Sequence, residues 1–193
     1  RQRKELISLH REAMEWFHEL LLSDPQAEPA RRYWRSRGFD GQVARRWKIG
    51  FAPPMAARVL AWAQERRIAD KLLVEGGFIS FGDEEGGRRR REPWFRFAGR
   101  LMFPIANDQG EVVGFSGRIL DSEAQAAKYL NSPETPIFNK GRLFFGLDRS
   151  RRAIAKAQRA IVCEGQLDLI ACVEAGVENM VAPLGTAFTD HHA

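Results

Sequence analysis

Residues 161–182 read IVCEGQLDLIACVEAGVENMVA, and their pattern decides the fold of the last part of the chain. Ile161-Val162-Cys163 is a short apolar run rich in β-branched residues, which predicts a buried strand. Glu164-Gly165 breaks the run. An apolar helix follows from about Leu167 to Ala175, Gly176 ends it, and Met180-Val181-Ala182 predicts a second strand. Two short strands joined by one helix form a βαβ unit, with the strands parallel and the crossover right-handed. Thr186 to Thr189 then leads towards a further helix, with Thr189 as a candidate N-cap. The segment reads as the opening of an α/β sheet.

Upstream the periods differ. Arg1 to Leu22 predicts a helix, because Leu6, Leu9, Ala13, Phe17, Leu20 and Leu21 recur at steps of three and four. Asp24 to Pro29 reads as a linker. Ala30 to Arg37 predicts a helix with Tyr33 and Trp34 towards the core and Gly38 at its end. Gly41 to Arg46 predicts a short helix capped by Asp40, and Ile49 to Pro54 an extended stretch. Further helices are predicted from Met55 to about Arg66 and over Asp70 to Val74. The period then shortens to two. Phe78 to Phe81 and Trp94 to Phe97 predict a hairpin around Gly82 to Gly87. Leu101 to Ile105 and Val112 to Phe115 predict two strands around the turn Asn107-Asp108-Gln109-Gly110. Helices followed by clustered antiparallel strands give an α+β class. The expected divisions are a leading helix and linker at 1–24, a basic subdomain at 25–152 and a βαβ segment at 153–193.

The 193 residues carry 30 Lys plus Arg against 25 Asp plus Glu, a formal charge of +5, with 44% hydrophobic residues. That composition is globular. No run approaches the ~20 apolar residues needed to span a bilayer, and the start lacks a signal-peptide pattern, so no membrane contact is expected. The chain opens on Arg1 rather than Met, as a piece of something longer would. Cys163 and Cys172 are too few for a disulfide framework or a four-ligand zinc site. Their apolar neighbours favour buried, reduced thiols and a cytoplasmic location. Charge is unevenly spread: residues 160–193 hold Glu164, Asp168, Glu174, Glu178 and Asp190 but no Lys or Arg. A basic body joined to an acidic segment suggests polyanion binding beside a carboxylate site.

Glu164 falls just past the first strand of the βαβ unit, where open α/β sheets gather their ligands. Asp168 follows in the first helical turn, with Gly165 allowing the backbone to turn sharply. Two such carboxylates suit a hard divalent ion. The same residues equally suit a solvated loop and the positive end of a helix. Lys128 to Gly141 is too polar and proline-rich for a regular element. Its Lys128, Asn131 and Lys140 can surround phosphate oxygens, or the stretch is only a connector. Arg88 to Arg91 with Trp94, Arg96, Phe97 and Arg100 mixes cations and rings as single-strand binders do. Phe95 and Phe97 alternate as core residues would. His10 and His18 read as packing or surface residues, and the adjacent His191 and His192 do not share a helical face for a metal.

Taken together, Arg100-Leu101-Met102-Phe103-Pro104-Ile105, Val113-Gly114-Phe115-Ser116-Gly117-Arg118 and Lys128-Tyr129-Leu130-Asn131-Ser132-Pro133-Glu134-Thr135 resemble the catalytic core of the bacterial DnaG-type DNA primases. Arg37-Gly38-Phe39 and Ile49-Gly50-Phe51-Ala52-Pro53 match the same family upstream. Glu164-Gly165-Gln166-Leu167-Asp168 and Gly185-Thr186-Ala187 resemble its Toprim module. The resemblance runs, in order, from about residue 25 to residue 193.

The resemblance implies synthesis of short RNA primers on single-stranded DNA from ribonucleoside triphosphates, assisted by Mg²⁺ or Mn²⁺. It makes Glu164 the catalytic acidic residue, as a metal ligand or general base, and Asp168 the second acid of the motif, in a supporting or metal-linked role. Arg37, Arg118, Lys128, Asn131 and Lys140 fall on a basic ridge that contacts template and nucleotide, and Arg100 joins them as a template-binding residue. The family also has a zinc-binding domain upstream and a C-terminal domain that binds the replicative helicase, both outside this sequence. Its Asp-x-Asp metal ligands belong beyond Ala193, so the 193 residues alone are expected to bind polymer without synthesis. Gln166 stands where the family commonly has an aromatic residue. Two rival readings are the primase part of a phage, plasmid or organellar primase-helicase, and a non-catalytic single-strand-binding module of the same fold.

Overall fold

The computed structural model describes residues 1–81, 93–120 and 126–185. Helix α1 (Gln2–Ser23) sets the core, placing Leu6, Leu9, His10, Ala13, Phe17, Leu20 and Leu21 on one buried stripe. A single 3-10 turn, Pro25–Ala27, follows, with the Asp24 side chain accepting from the Gln26 N–H. It replaces the linker expected at Asp24 to Pro29, because helix α2 (Glu28–Ser36) starts early, with Pro29 in its first turn where no N–H is needed. Helix α3 (Gly41–Arg46) is capped as expected, Asp40 Oδ1 accepting from Gln42 N at 2.8 Å and Val43 N at 2.9 Å. Strand β1 (Gly50–Phe51), helix α4 (Ala56–Glu65) and helix α5 (Asp70–Glu75) complete the helical half.

Strands β2 (Ile79–Ser80) and β3 (Trp94–Phe95) pair antiparallel, as the hairpin reading requires. The turn at Gly82 to Gly87 and the arginines at 88–91 lie outside the described residues. Strands β4 (Leu101–Ala106), β5 (Val112–Arg118) and β6 (Tyr129–Asn131) join β1 in a four-stranded sheet of order β1-β4-β5-β6, antiparallel throughout. The strand β6 corrects the expectation that 128–141 holds no regular element. Its three residues pair with the end of β5, a long-range match that leaves no period in so short a run. Phe115 of β5 is buried among His10, Phe17, Phe78 and Phe97 at centroid distances of 5.5–6.3 Å. Burying such a ring contributes roughly 1.5–3 kcal/mol. Phe95 and Phe97 face the core as expected, whereas Trp94 is 55% exposed.

Strand β7 (Phe144–Phe145) and helix α6 (Leu147–Ala157) occupy a stretch to which the sequence assigns no element. The βαβ unit follows: β8 (Ile161–Val162), α7 (Gln166–Glu174) and β9 (Met180–Pro183), with β8 and β9 parallel and β7 antiparallel on the other side of β9. Ile161 and Val162 are 39% and 48% exposed. The expected burial of that strand is therefore corrected: among the described residues β8 pairs with β9 alone and forms a sheet edge. The helix expected after Thr186, with His191 and His192, lies outside the described residues. Among the described residues no helix is long and apolar enough to cross a membrane.

His10 and His18 are both packing residues, and His10 is wholly inside. Its Nδ1 lies 2.8 Å from the Leu6 carbonyl and therefore carries the proton. Burial lowers its pKa from 6.5 to about 4, with contacts to the Leu6 and Gly76 backbone offsetting only part of the loss. The unfolded chain protonates His10 below its ordinary pKa, while the folded protein keeps it neutral to about pH 4. Its stabilising contribution is complete above pH 6.5 and is lost on acidification, by about 3 kcal/mol once pH 4 is reached. Urea midpoints between pH 7 and 4 should fall more steeply for the wild type than for His10→Leu. Parallel curves would contradict this account.

Candidate active site

The acidic loop after β8 faces the open end of the β5–β6 pair across a cleft of about 660 Å³. Arg37, Arg118, Lys128, Asn131 and Lys140 line it together with Glu164 and Asp168. The register of β5 and β6 builds the basic wall, setting Arg118 beside Tyr129 and Ser116 beside Asn131. The Arg118 guanidinium sits 4.0 Å over the Tyr33 ring and 5.9 Å from the Tyr129 ring, contacts worth about 0.5–2 kcal/mol. Its Nη1 donates to the Ile119 carbonyl at 2.9 Å. Burial pushes both tyrosine hydroxyls above their usual pKa. Tyr33 packs against the core as expected and also lines the cleft, where its ring lies under the Arg118 guanidinium.

The loop from Ser132 to Gly141 is tightly held. Ser132 Oγ accepts from the Phe115 N–H at 2.9 Å, and Thr135 Oγ1 accepts from the Phe138 N–H at 3.1 Å. Glu134 Oε1 accepts from the Lys140 N–H at 3.2 Å. Pro133 lies against Gly77, whose φ is +75° and where a Cβ would come within 2.5 Å of the proline ring. Only glycine suits both that backbone and that approach. The loop is therefore a scaffold that projects Lys140, while Lys128 enters the cleft just before β6. Both lysines and Arg37 are exposed, and among the described residues none of the three lies within ion-pair distance of a carboxylate. They are free to meet an incoming anion.

Arg100 stands apart from the expected set. It is 7% exposed, and its Nη1 donates to the carbonyls of Gly117 at 3.1 Å and Ala127 at 3.0 Å. Burial first, and then the nearby Arg96, lower its pKa. It does not line the cleft. Its geometry braces β5 against the chain entering β6, which corrects the reading of Arg100 as a template-facing residue. Arg96, by contrast, lines the cleft and donates through Nε to the Asn131 carbonyl at 2.8 Å.

On the acidic side, the Cys163 N–H donates to the Val181 carbonyl at 3.0 Å, carrying the parallel ladder up to Glu164. Glu164 and Asp168 are exposed at the rim. The chain bends at Glu164, but Gly165 has φ −121° and ψ 154°, ordinary extended backbone, so the bend does not require a glycine there. Glycine serves a different purpose, since a Cβ there would lie 3.0 Å from Asp168 Oδ2 and crowd the carboxylate. Two exposed carboxylates on the rim of a cleft whose opposite wall is cationic fit a hard divalent ion that also takes phosphate oxygens. Among the described residues there is no group of three or more metal-binding side chains.

Arg96, singled out in the basic-aromatic cluster, does line the cleft, whereas Tyr33, Tyr129 and Gln166 were not among the expected site residues. The one readable signal was the four-residue step from Tyr33 to Arg37, which places both on one helical face. Gln166 is buried and donates through Nε2 to Ser116 Oγ at 3.0 Å. In place of an aromatic contact, this position supplies a tie to β5.

Comparison with known proteins gives a consistent picture. A family model described as the DNA primase catalytic core, N-terminal domain, matches residues 16–151, and a Toprim domain model matches 158–193. The DNA primase of Streptomyces coelicolor is 38% identical over 191 residues, covering 99% of this chain and 29% of that protein. The RNA polymerase domain of the Mycobacterium tuberculosis primase DnaG superposes with a TM-score of 0.89 at 37% identity, over 98% of this chain and 59% of that one. A DnaG primase catalytic domain bound to single-stranded DNA gives 0.83 at 36% identity, over 99% of this chain and 57% of that one. The chain spans less than a third of the length of the curated relatives it matches.

Proposed function

The chain belongs to the family of the bacterial DnaG-type DNA primase catalytic core, and from that premise we propose that it forms the polymer-gripping and acidic parts of an enzyme that makes short RNA primers on single-stranded DNA. The observation carrying this reading is the shared cleft: Glu164 and Asp168 open into the same space as Arg118, Lys128 and Lys140. In this reading residues 25–152 are the basic subdomain, 153–193 begin the Toprim unit, and 1–24 are the leading helix.

Arg37, Arg118, Lys128 and Lys140 hold phosphates of the template and of the incoming ribonucleoside triphosphate, with their charges fixed before the substrate arrives. Asn131 donates its Nδ2–H to the Leu184 carbonyl at 2.7 Å, so it registers the basic wall against the acidic unit. The reaction joins a primer 3′-oxygen to the α-phosphorus and breaks the bond from that phosphorus to pyrophosphate. Glu164, with Asp168, would hold Mg²⁺ or Mn²⁺ through oxygen ligands. Such an ion, when bound, stabilises the attacking and leaving oxygens. The single-stranded DNA held by the solved relative supports the template assignment.

Ribonucleotide incorporation by the natural full-length protein on a mixed-sequence single-stranded template tests the reading. Incorporation should require added Mg²⁺ or Mn²⁺ and should stop on chelation. Strand binding without incorporation under either metal would favour a non-catalytic binding module.

A further inference from the structure

The basic wall and the acidic loop belong to different sheets, β1-β4-β5-β6 and β7-β9-β8. No strand ladder among the described residues joins the two sheets, so other contacts must set the separation between Glu164 and Arg118. Helix α7 supplies two of them, one at each end. Gln166, its first residue, donates to Ser116 Oγ at 3.0 Å, and both side chains are buried. Ser116 lies two residues before Arg118, and Gln166 two residues after Glu164. Glu174, its last residue, accepts from the Trp47 Nε1–H at 2.8 Å and pairs with the Arg46 guanidinium. Trp47 is braced in turn, with the Arg149 guanidinium 4.4 Å over its ring.

Glu174 does not line the cleft. Its ion pair with Arg46 is partly exposed and so contributes little to global stability. The charge-assisted bond from Trp47 is directional, and fixes where the end of the helix lies. The Arg46 hydrogen bond holds the Glu174 carboxyl below the usual carboxylate range despite partial burial, which keeps the acceptor charged at neutral pH.

We propose that Glu174 is a positioning residue for primer synthesis: by fixing the far end of α7 to Arg46 and Trp47, it sets the distance between the acidic rim and the basic wall. The inference rests on the function proposed above. Glu174→Leu removes both contacts, whereas Glu174→Gln keeps an acceptor for Trp47. In the full-length protein, Glu174→Leu should lower kcat by roughly ten- to a hundredfold, the upper figure being what a misplacement of about 1 Å can cost. KM for nucleotides, Kd for single-stranded DNA and the melting temperature should stay near wild type. Glu174→Gln should keep most of kcat. Should Glu174→Leu lose its melting transition, Trp47→Phe, which keeps a ring under Arg149 and removes the Nε1–H donor, applies the same test from the other partner and should show the same split.

An unchanged kcat in a folded Glu174→Leu or Trp47→Phe would overturn the inference while primer synthesis by the wild type still stood. A parallel loss of kcat, KM and Kd would also overturn it, by showing that the contact is merely structural. Absence of synthesis by the wild type itself would instead count against the proposed function.

Discussion

Glu164→Gln in the full-length protein is expected to lower primer synthesis by on the order of 10²–10³-fold or more, the loss typical when a preorganised charge at the reacting centre is removed. Glutamine keeps the size of the side chain and discards its charge, so it is a poor ligand for a hard cation. Glu164 is exposed at the rim of the cleft, and substitutions at such positions change stability by only about 0.5 kcal/mol. Single-strand binding should therefore persist, since the basic wall that meets the phosphates is untouched. Nucleotide incorporation and fluorescence anisotropy with a labelled strand, measured on one preparation, separate the effects. An equal loss of synthesis and binding would make Glu164 a structural residue.

Lys128→Ala and Lys140→Ala are expected to act the opposite way, on binding first. Each removes an exposed ammonium, and a hydrogen bond to a charged group is worth about 1.5–3 kcal/mol, so single-strand affinity should fall roughly tenfold or more per lysine. The slope of log K against log salt should become shallower by about 0.7 for each phosphate of a single strand that a lysine no longer neutralises. The two lysines enter the cleft from different segments, Lys128 before β6 and Lys140 in the loop after it, so the double variant should show roughly additive losses. Affinity titrations at several salt concentrations check both quantities. Weaker affinity with an unchanged slope would mean that the lysines shape the loop and do not meet phosphate.

Much of this arrangement is legible in the sequence wherever the signal is local. The stripe of α1, the Asp40 cap of α3 and the β8–α7–β9 unit follow from periodicity and capping within a few residues. What escaped is non-local. Strand β7 has two residues and exists because Phe144 and Phe145 pair with Pro183 and Ala182 far along the chain. Strand β6 similarly depends on the free edge of β5. Arg100 looks like a template-binding residue until the carbonyls of Gly117 and Ala127 are brought to it. Tyr33 reads as core and packs there, but its second contact, with the Arg118 guanidinium in the cleft, joins residues far apart in the chain. Gly165 has no unusual backbone angle, and a Cβ there would come within 3.0 Å of Asp168 Oδ2, an approach that shows only once the helix is in place. The candidate site was more legible than the small strands that build it, because its charges and motifs are carried by single residues.

The central claim, that the acidic rim lies over the reactive end of a strand held by the basic wall, can be tested by metal-directed cleavage. Fe²⁺ takes the place of Mg²⁺ in the full-length protein bound to a labelled primer–template, and peroxide generates hydroxyl radicals at the bound ion. The account predicts cuts clustered at the primer 3′ end in the wild type, lost in Glu164→Gln while the strand stays bound. Cleavage scattered along the strand, or a 3′ cluster that survives in Glu164→Gln, would contradict it.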